Sequence, residues 1–154
     1  MTEAPGFDMM ITIRQISGMT ERRALIPRGS GDISARMRLS PGMVSGDHVF
    51  LTGITGSAPD GAMPGDPETQ FRQAFDKIGA VLAEAGLGYD AIVEMTSYHI
   101  GLRDHFDCFS AVRAEYVAEP YPAWTAVEVA GLRRKGALVE IRVVAALGKG
   151  PASG

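Results

Sequence analysis

Three side chains of metal-binding type lie within ten residues of one another: His99, His105 and Cys108. Residues three apart share one face of a helix, so His105 and Cys108 would project together from a helical segment. The spacing matches no standard zinc pattern and no fourth ligand is evident, so we expect no metal site. His99 is instead a candidate cleft residue. Cys108 lies between Phe106 and Phe109 and is expected to pack rather than act as a nucleophile.

Glu140 lies in an alternating apolar and polar stretch near the end of the chain. A carboxylate there is a candidate general base that activates a water molecule. Arg142 is two residues further on and therefore shares its strand face. The other role for Glu140 is an ion pair with Arg142, Arg36 or Arg38, and the residues by themselves favour the ion pair.

Glycine-rich loops do not supply a nucleotide site in this sequence. The segments 53–56 and 61–65 lack the P-loop lysine and the dinucleotide fingerprint. No serine stands in a Gly-x-Ser-x-Gly nucleophile elbow. We therefore expect no cofactor, and a small-molecule ligand or substrate rather than a nucleotide.

The composition is that of one globular domain of 154 residues, of which 45% are hydrophobic. Fifteen Lys and Arg stand against 18 Asp and Glu, a net charge of −3, which argues against a nucleic-acid binder. The single cysteine excludes an internal disulfide. The acidic first residues do not resemble a signal peptide, and no apolar run is long enough for a membrane span. We expect a cytoplasmic protein that binds no membrane.

Periodicity and turn signals predict an α+β domain with a mainly antiparallel sheet and two helices on one of its faces. The predicted strands are Met10–Ile16, Asp47–Ile54, Ala91–Ile100, Ala123–Val129 and Ala137–Leu147. One helix should begin at Asp66 and Pro67 and stop at Gly86, and another should begin at Asp104 and end before Pro120 and Pro122. Residues 17–36 are expected to form a surface segment.

Alternation assigns the faces of the last two strands. On the final strand, Val139, Ile141, Val143 and Ala145 should lie under the helices. On its neighbour we expect Thr125, Val127 and Val129 to face the helices. The set Trp124, Ala126 and Glu128 should then lie on the opposite face, where other subunits would cover it.

Several segments together resemble the Rid family, the RidA/YjgF-like reactive-intermediate deaminases also labelled endoribonuclease L-PSP. They are the stretch from Tyr121 to Leu132 followed by Val139-Glu140-Ile141, the strand from Ser45 to Gly53, and the helix from Asp66 to Gly88. The similarity covers residues 36–147. Residues 1–35 would then be an N-terminal segment with a first strand, and residues 148–154 a flexible tail.

The resemblance implies a homotrimer with clefts between subunits, and a hydrolase that converts imines or enamines to carbonyl products and ammonia. By the same resemblance, Glu140 positions the attacking water, and the Gly53 amide, preceded by Thr52, helps to bind the substrate. The arginine that clamps the substrate carboxylate in RidA-type members falls on Trp124. The family cysteine two places later is Ala126, of which only the backbone amide is needed.

Trp124 predicts a change of substrate, because a guanidinium gives a carboxylate two hydrogen bonds whereas an indole offers one N–H and no charge. Arg36, Arg38 or Arg142 would be the substitute cation. Trp124 itself either stacks on a planar ligand or packs a subunit interface. A non-catalytic trimer that binds a small metabolite in the same cleft is the alternative function. A ribonuclease is the third, which the acidic charge disfavours.

Overall fold

The structure is a computed structural model that describes residues 21–148. This range contains seven strands, three α-helices and a short 3-10 helix at Tyr89–Ala91. The strands are β1 (Arg22–Leu25), β2 (Gly42–Ser45), β3 (His48–Leu51), β4 (Ile54–Thr55), β5 (Ile92–His99), β6 (Ala123–Glu128) and β7 (Val139–Ala146). The helices are α1 (Gly31–Met37), α2 (Pro67–Ala83) and α3 (Leu102–Tyr116). The α+β prediction is confirmed.

All seven strands belong to one mixed sheet in the order β1-β2-β3-β7-β5-β6, and β4 also pairs with β7. Neighbouring strands are antiparallel except β5 and β6, which run parallel. A parallel pair needs a crossover connection, and α3 lies in the segment that joins these two strands. Within residues 21–148, no helix combines the length and the apolar character that a membrane crossing requires.

The core lies between the sheet and helices α2 and α3. The four predicted inward residues of β7 are buried, none more than 1% exposed, which confirms the face assignment of this strand. Phe71, Phe75 and Ile78 of α2 are fully buried against them. Phe109 of α3 meets Phe71 edge to face, with ring centroids 5.2 Å apart.

Helix α2 begins as predicted. The Asp66 carboxylate accepts hydrogen bonds from the Thr69 amide at 2.8 Å and the Thr69 hydroxyl at 2.6 Å, and Pro67 occupies the first turn. These hydrogen bonds lower the pKa of Asp66. The regular helix ends at Ala83, three residues before Gly86, whose φ of 69° is the left-handed conformation expected after a helix.

Helix α3 begins earlier than predicted and ends before Pro120 and Pro122, as predicted. It starts at Leu102 after Gly101, and Asp104 lies inside its first turn instead of capping it. The cap comes from β6, where the Glu128 carboxylate accepts hydrogen bonds from the amides of Gly101 and Leu102, both at 3.2 Å. The helix stops at Tyr116, before either proline. A cap contributed from 26 residues away leaves no local sequence signal.

Other differences lie before residue 56. The stretch predicted as surface contains β1 and α1, and β2 forms a hairpin with β3 across Gly46. The strand predicted over Asp47–Ile54 is interrupted, so β3 and β4 are separate. The strand predicted at Met10–Ile16 lies outside the described residues.

The buried amide of Gln70 joins three segments of the chain. Its nitrogen donates to the carbonyl oxygens of Pro64 at 2.7 Å and Gly136 at 3.0 Å. Its oxygen accepts from the Leu138 amide at 2.9 Å. Gly56 packs directly on the backbone of this residue, so the loop after β4 is pressed against α2.

We predict that Gly56→Ala destabilises the protein by about 3 kcal/mol, because the added methyl meets rigid helix backbone. A Cβ there would lie 2.5 Å from the Cα of Gln70 and overlap its carbonyl. The control is Gly65→Ala, where a Cβ meets nothing within 4 Å. Urea unfolding measures both. Equal midpoints for the two variants would contradict the prediction.

Candidate functional site

Glu140 and Gly53 are brought together by an irregularity in the sheet. Phe50 pairs with Val144 and Ile54 pairs with Ile141. The three residues 51–53 therefore lie opposite only two residues of β7, 142 and 143. The extra residue makes a bulge at Thr52 and Gly53, opposite β7. Bulges of this kind redirect the local backbone and are frequent beside active sites.

The Glu140 side chain lies against the Gly53 backbone. A Cβ added to Gly53 would lie 2.7 Å from both Cδ and Oε2 of Glu140. Only glycine therefore leaves room for the carboxylate in this position. The two residues are 87 positions apart, and the pairing of β4 with β7 places them in contact.

Glu140 has no charged partner within residues 21–148. Arg142 faces Glu94 instead, with Nη1 and Oε1 3.9 Å apart and both side chains largely in water. Arg36 lies in the last turn of α1, and Arg38 follows that helix with a φ of 54°. Neither of them reaches Glu140, so the ion pair considered for this carboxylate is not formed in the described chain.

Two residues that sequence reasoning missed flank Glu140. Thr55 of β4 and Tyr98 of β5 are its direct partners across the strands. Directly opposite residues in antiparallel pairs project from the same face, so a hydroxyl and a phenol stand beside the carboxylate. Tyr98 lies in the predicted strand Ala91–Ile100, whereas Thr55 lies one residue beyond the predicted strand Asp47–Ile54. Only the register shows that they meet Glu140.

Trp124 lies on the helix side of the sheet, and the face predicted for it is wrong. The parallel register pairs Trp124 with Met95 and Ala126 with Ser97. Met95 and Ser97 are fully buried under the helices, so Trp124 and Ala126 also project to that side. The indole stacks on Phe106 of α3, with ring centroids 5.9 Å apart and planes 3° from parallel. Trp124 and Glu140 therefore project from opposite faces and lie two strands apart.

The face of Trp124 was predicted wrongly because β6 is an edge strand with apolar residues on both faces. Its alternation places Trp124 and Ala126 on one side and Val127 on the other, so the pattern alone does not decide between them. The aromatic rings of Phe106 and Phe109 decide it, because an indole buries more area against them than the smaller valine does.

His99 is a core residue rather than a cleft residue. It is 1% exposed, its ring meets Phe109 edge to face, and its Nε2 lies 2.8 Å from the Ser97 hydroxyl oxygen. The same hydroxyl accepts the indole N–H of Trp124 at 2.9 Å. An indole only donates, so the serine proton is free to point at His99. Burial lowers the pKa of His99, which favours the neutral ring.

A lysine that the sequence did not single out is half-buried in α2. Lys77 donates to the hydroxyl of buried Ser57 at 2.9 Å. Burial, with a smaller contribution from the charge of Arg134, lowers the pKa of Lys77 to about 8. The available signal was its spacing, because Lys77 follows buried Ala74 by three residues and precedes buried Val81 by four.

Comparison with known proteins agrees with this architecture. The family model described as endoribonuclease L-PSP matches residues 30–147, a span that contains Gly53, Trp124 and Glu140. The chain belongs to the Rid family. The resemblance of the sequence segments to this family is thereby confirmed.

Relatives within the Rid family carry different names. The RutC family protein YjgH of Escherichia coli K12 is 41% identical over 128 residues, which cover 82% of this chain and 96% of the relative. A solved structure described as protein YJGH superposes with a TM-score of 0.77 at 39% identity, covering 84% of this chain and 99% of that one. The 2-iminobutanoate/2-iminopropanoate deaminase of Escherichia coli K12 is 32% identical over 111 residues, 68% of this chain and 83% of the relative.

We predict that Ser97→Ala lowers the free energy of unfolding by about 2 kcal/mol, because it leaves a buried indole N–H and a buried imidazole nitrogen without a partner. The control is Ser110→Ala on α3, whose hydroxyl makes no hydrogen bond within residues 21–148. Urea titration followed by tryptophan fluorescence gives both values. If Ser97→Ala were as stable as the control, the hydrogen bonds would not contribute to folding.

Lys77 makes stability rise with pH. Its pKa falls from 10.5 in the unfolded chain to about 8 in the fold. Between these values the unfolded state holds a proton that the folded state has released, so the free energy of unfolding increases with pH. Allowing for partial solvent contact, we expect wild type to gain about 1 kcal/mol over Lys77→Met between pH 8 and pH 10. Parallel unfolding curves measure this, and a constant difference between the proteins would contradict it.

Proposed function

We propose that this Rid-family protein hydrolyses a reactive imine or enamine to a carbonyl product and ammonia, with Glu140 orienting the attacking water. The observation that carries the proposal is the Glu140 carboxylate held against the Gly53 backbone without a charged partner in the described chain. A carboxylate paired with an arginine is a weak base, whereas an unpaired one accepts a proton from water more readily. The deaminase names of some relatives agree with this chemistry.

The proposed reaction is balanced by one water molecule. Glu140 accepts a proton as the water oxygen bonds to the imine carbon and returns it to the imine nitrogen, which gives a neutral carbinolamine. Glu140 then takes the carbinolamine hydroxyl proton and passes it to the amine nitrogen, the C–N bond breaks, and ammonia leaves as the carbonyl forms. An enamine first gains a proton at carbon and loses one from nitrogen to become the imine. The Gly53 backbone amide, with the Thr52 hydroxyl beside it, would hold the substrate on the Glu140 side, because the Thr52 amide already donates to the Pro41 carbonyl.

The substrate in this proposal differs from that of the 2-iminobutanoate deaminases. Position 124, where the resemblance implies an arginine clamp, holds an indole packed under α3. The loss of a charged clamp on a desolvated carboxylate costs about 2–3 kcal/mol of transition-state binding, or roughly 100-fold in rate. In the proposed cleft between subunits, where position 124 of one subunit would face Glu140 of the next, small imino acids that depend on that clamp are therefore expected to be poor substrates.

We further propose that the protein is a homotrimer whose subunits cover the outer face of the sheet. Phe50 is 40% exposed on this face and lies directly opposite Met43 and Val144. Glu140 lies on the same face, so a neighbouring subunit would complete a cleft around it. Light scattering tests this, and a monomer at micromolar concentration would overturn the trimer.

We predict that Glu140→Gln lowers kcat for ammonia release by at least about 100-fold, because an amide does not accept the water proton. The matched control is Glu94→Gln, which removes an exposed carboxylate from the same face and is expected to retain the wild-type rate. Freshly generated small and aromatic imino acids are the substrates. Equal rates for Glu140→Gln and wild type would overturn the proposal, and binding without turnover by wild type would favour the metabolite-binding alternative.

Gly53→Ala should impair activity while leaving the stability of the fold nearly unchanged. The added methyl displaces the flexible Glu140 side chain rather than rigid backbone. We expect activity to fall by at least about 10-fold, while stability changes by less than about 1 kcal/mol. Gly131→Ala, where a Cβ meets nothing within 4 Å, is the control for both assays. Full activity in Gly53→Ala would contradict the role given to this contact.

A further inference from the structure

Lys77 and Arg134 are two cations that act on each other without a carboxylate between them. The charge of Arg134 disfavours the charged form of Lys77, and no acidic group within residues 21–148 forms an ion pair with either side chain. Asp60, the acidic residue of the loop beside them, accepts a hydrogen bond from the Ala62 amide at 2.9 Å instead. Like charges repel more strongly where water is partly excluded. A negative group at Lys77 would turn this repulsion into attraction.

One compact loop anchors both cations. Lys77 of α2 donates to the hydroxyl oxygen of Ser57 at 2.9 Å, and Arg134 donates to the carbonyl oxygen of Gly61. Backbone hydrogen bonds of 2.8 Å close the loop within residues 58–62, so the two anchoring oxygens keep a fixed separation. Ser57 is buried, and because its oxygen accepts from the ammonium, its own proton remains available to a further acceptor.

Gln73 lies one helical turn before Lys77 and carries a shielded acceptor. Its side-chain oxygen is out of contact with water and accepts no hydrogen bond from the described residues. Residues four apart share one face of a helix, so the side chains of Gln73 and Lys77 are neighbours. A buried acceptor without a donor is costly, and here it indicates an N–H group that the free lysine does not supply. The Lys77 cluster consists of Lys77, Ser57, Gln73 and Arg134.

We propose that carbon dioxide reversibly converts the Lys77 amine to a carbamate in this cluster. The lone pair of the neutral amine forms an N–C bond to carbon dioxide, one C–O π pair moves to oxygen, and the nitrogen releases one proton to solvent. A negative group thereby replaces a positive one beside Arg134. The carbamate oxygens can accept from the guanidinium and from the Ser57 hydroxyl, and the single carbamate N–H can donate to Gln73.

Lys77 is better suited to this reaction than an exposed lysine. Only the neutral amine reacts, and burial lowers the pKa of Lys77 from 10.5 to about 8, which enlarges the neutral fraction. The chain has two other lysines, of which Lys135 is exposed and Lys149 lies outside the described residues. Glu140 takes no part in the modification, so the proposed hydrolysis can fail without affecting it.

Chemical trapping of the carbamate is the test. Wild type is equilibrated at pH 8 with carbon-13-labelled bicarbonate and carbon dioxide, treated with triethyloxonium to convert carbamates to stable esters, and digested for mass spectrometry. We expect the labelled ester on Lys77 at an occupancy at least about 10-fold above that on Lys135. Lys135 is an internal control, because both lysines meet the same reagents in the same molecule.

Substitutions then show whether the cluster holds the carbamate. Arg134→Gln should lower the occupancy at Lys77 at least about fivefold, because the carbamate loses its counter-ion. Arg133→Gln, which removes an exposed charge from the adjacent position, should leave the occupancy unchanged. Gln73→Leu removes the N–H acceptor and should also lower the occupancy about fivefold. Urea midpoints check the folding of each variant, and Gln73→Leu gives the comparison if Arg134→Gln does not fold.

Two results would overturn the proposal. One is a folded wild type in which Lys77 carries no trapped ester, or no more than Lys135 carries; a label on the N-terminal amine alone belongs to this case. The other is an occupancy at Lys77 that stays at the wild-type level in the folded Arg134 or Gln73 variant, because the neighbouring side chains would then not stabilise the carbamate.

Discussion

Strand β7 is hydrogen-bonded along both edges, by β3 and β4 on one side and by β5 on the other. Its four inward residues are buried under α2 and α3, which fixes its register relative to the neighbouring strands. Side chains alternate along a strand, and a slip of one residue would bury the Glu140 carboxylate and expose four apolar groups. Burying an unpaired carboxylate costs several kcal/mol. The hydrophobic core therefore fixes which face carries the carboxylate.

Strand β5 separates two chemically different surfaces. Ser97 points into the helix layer, where it bonds Trp124 and His99. Tyr98, the next residue, points the other way and stands opposite Glu140. The indole and the carboxylate thus share a supporting strand but no common cavity within one chain. Adjacent residues of β5 point to opposite faces. The surroundings of the indole and those of the carboxylate can therefore be substituted independently, without a change in the sheet.

Local signals predicted the elements that local interactions build. The cap and proline at the start of α2 and the alternation of β7 act within a few residues, and both were correct. The start of α3 depends on Glu128, and the face of Trp124 depends on aromatic rings from that helix, so neither has a local signature. Glu140 and Gly53 were paired by family resemblance alone, because their contact needs a bulge that no sequence pattern encodes. The cation–π contact between Arg113 and Trp124 is likewise visible only in three dimensions.

Gln70 places a constraint on how this chain can vary. Its amide uses two donors and one acceptor to join the loop at Pro64, the turn at Gly136 and the start of β7 near Leu138. A glutamate keeps only acceptors and a lysine only donors, so neither reproduces the set. Both loops are held by the same Gln70 side chain, so an insertion in either loop has to extend into solvent while the residues bonded to Gln70 stay in place. Length variation among descendants of this sequence should therefore be concentrated near residues 60 and 133, and not at the positions that bond to Gln70.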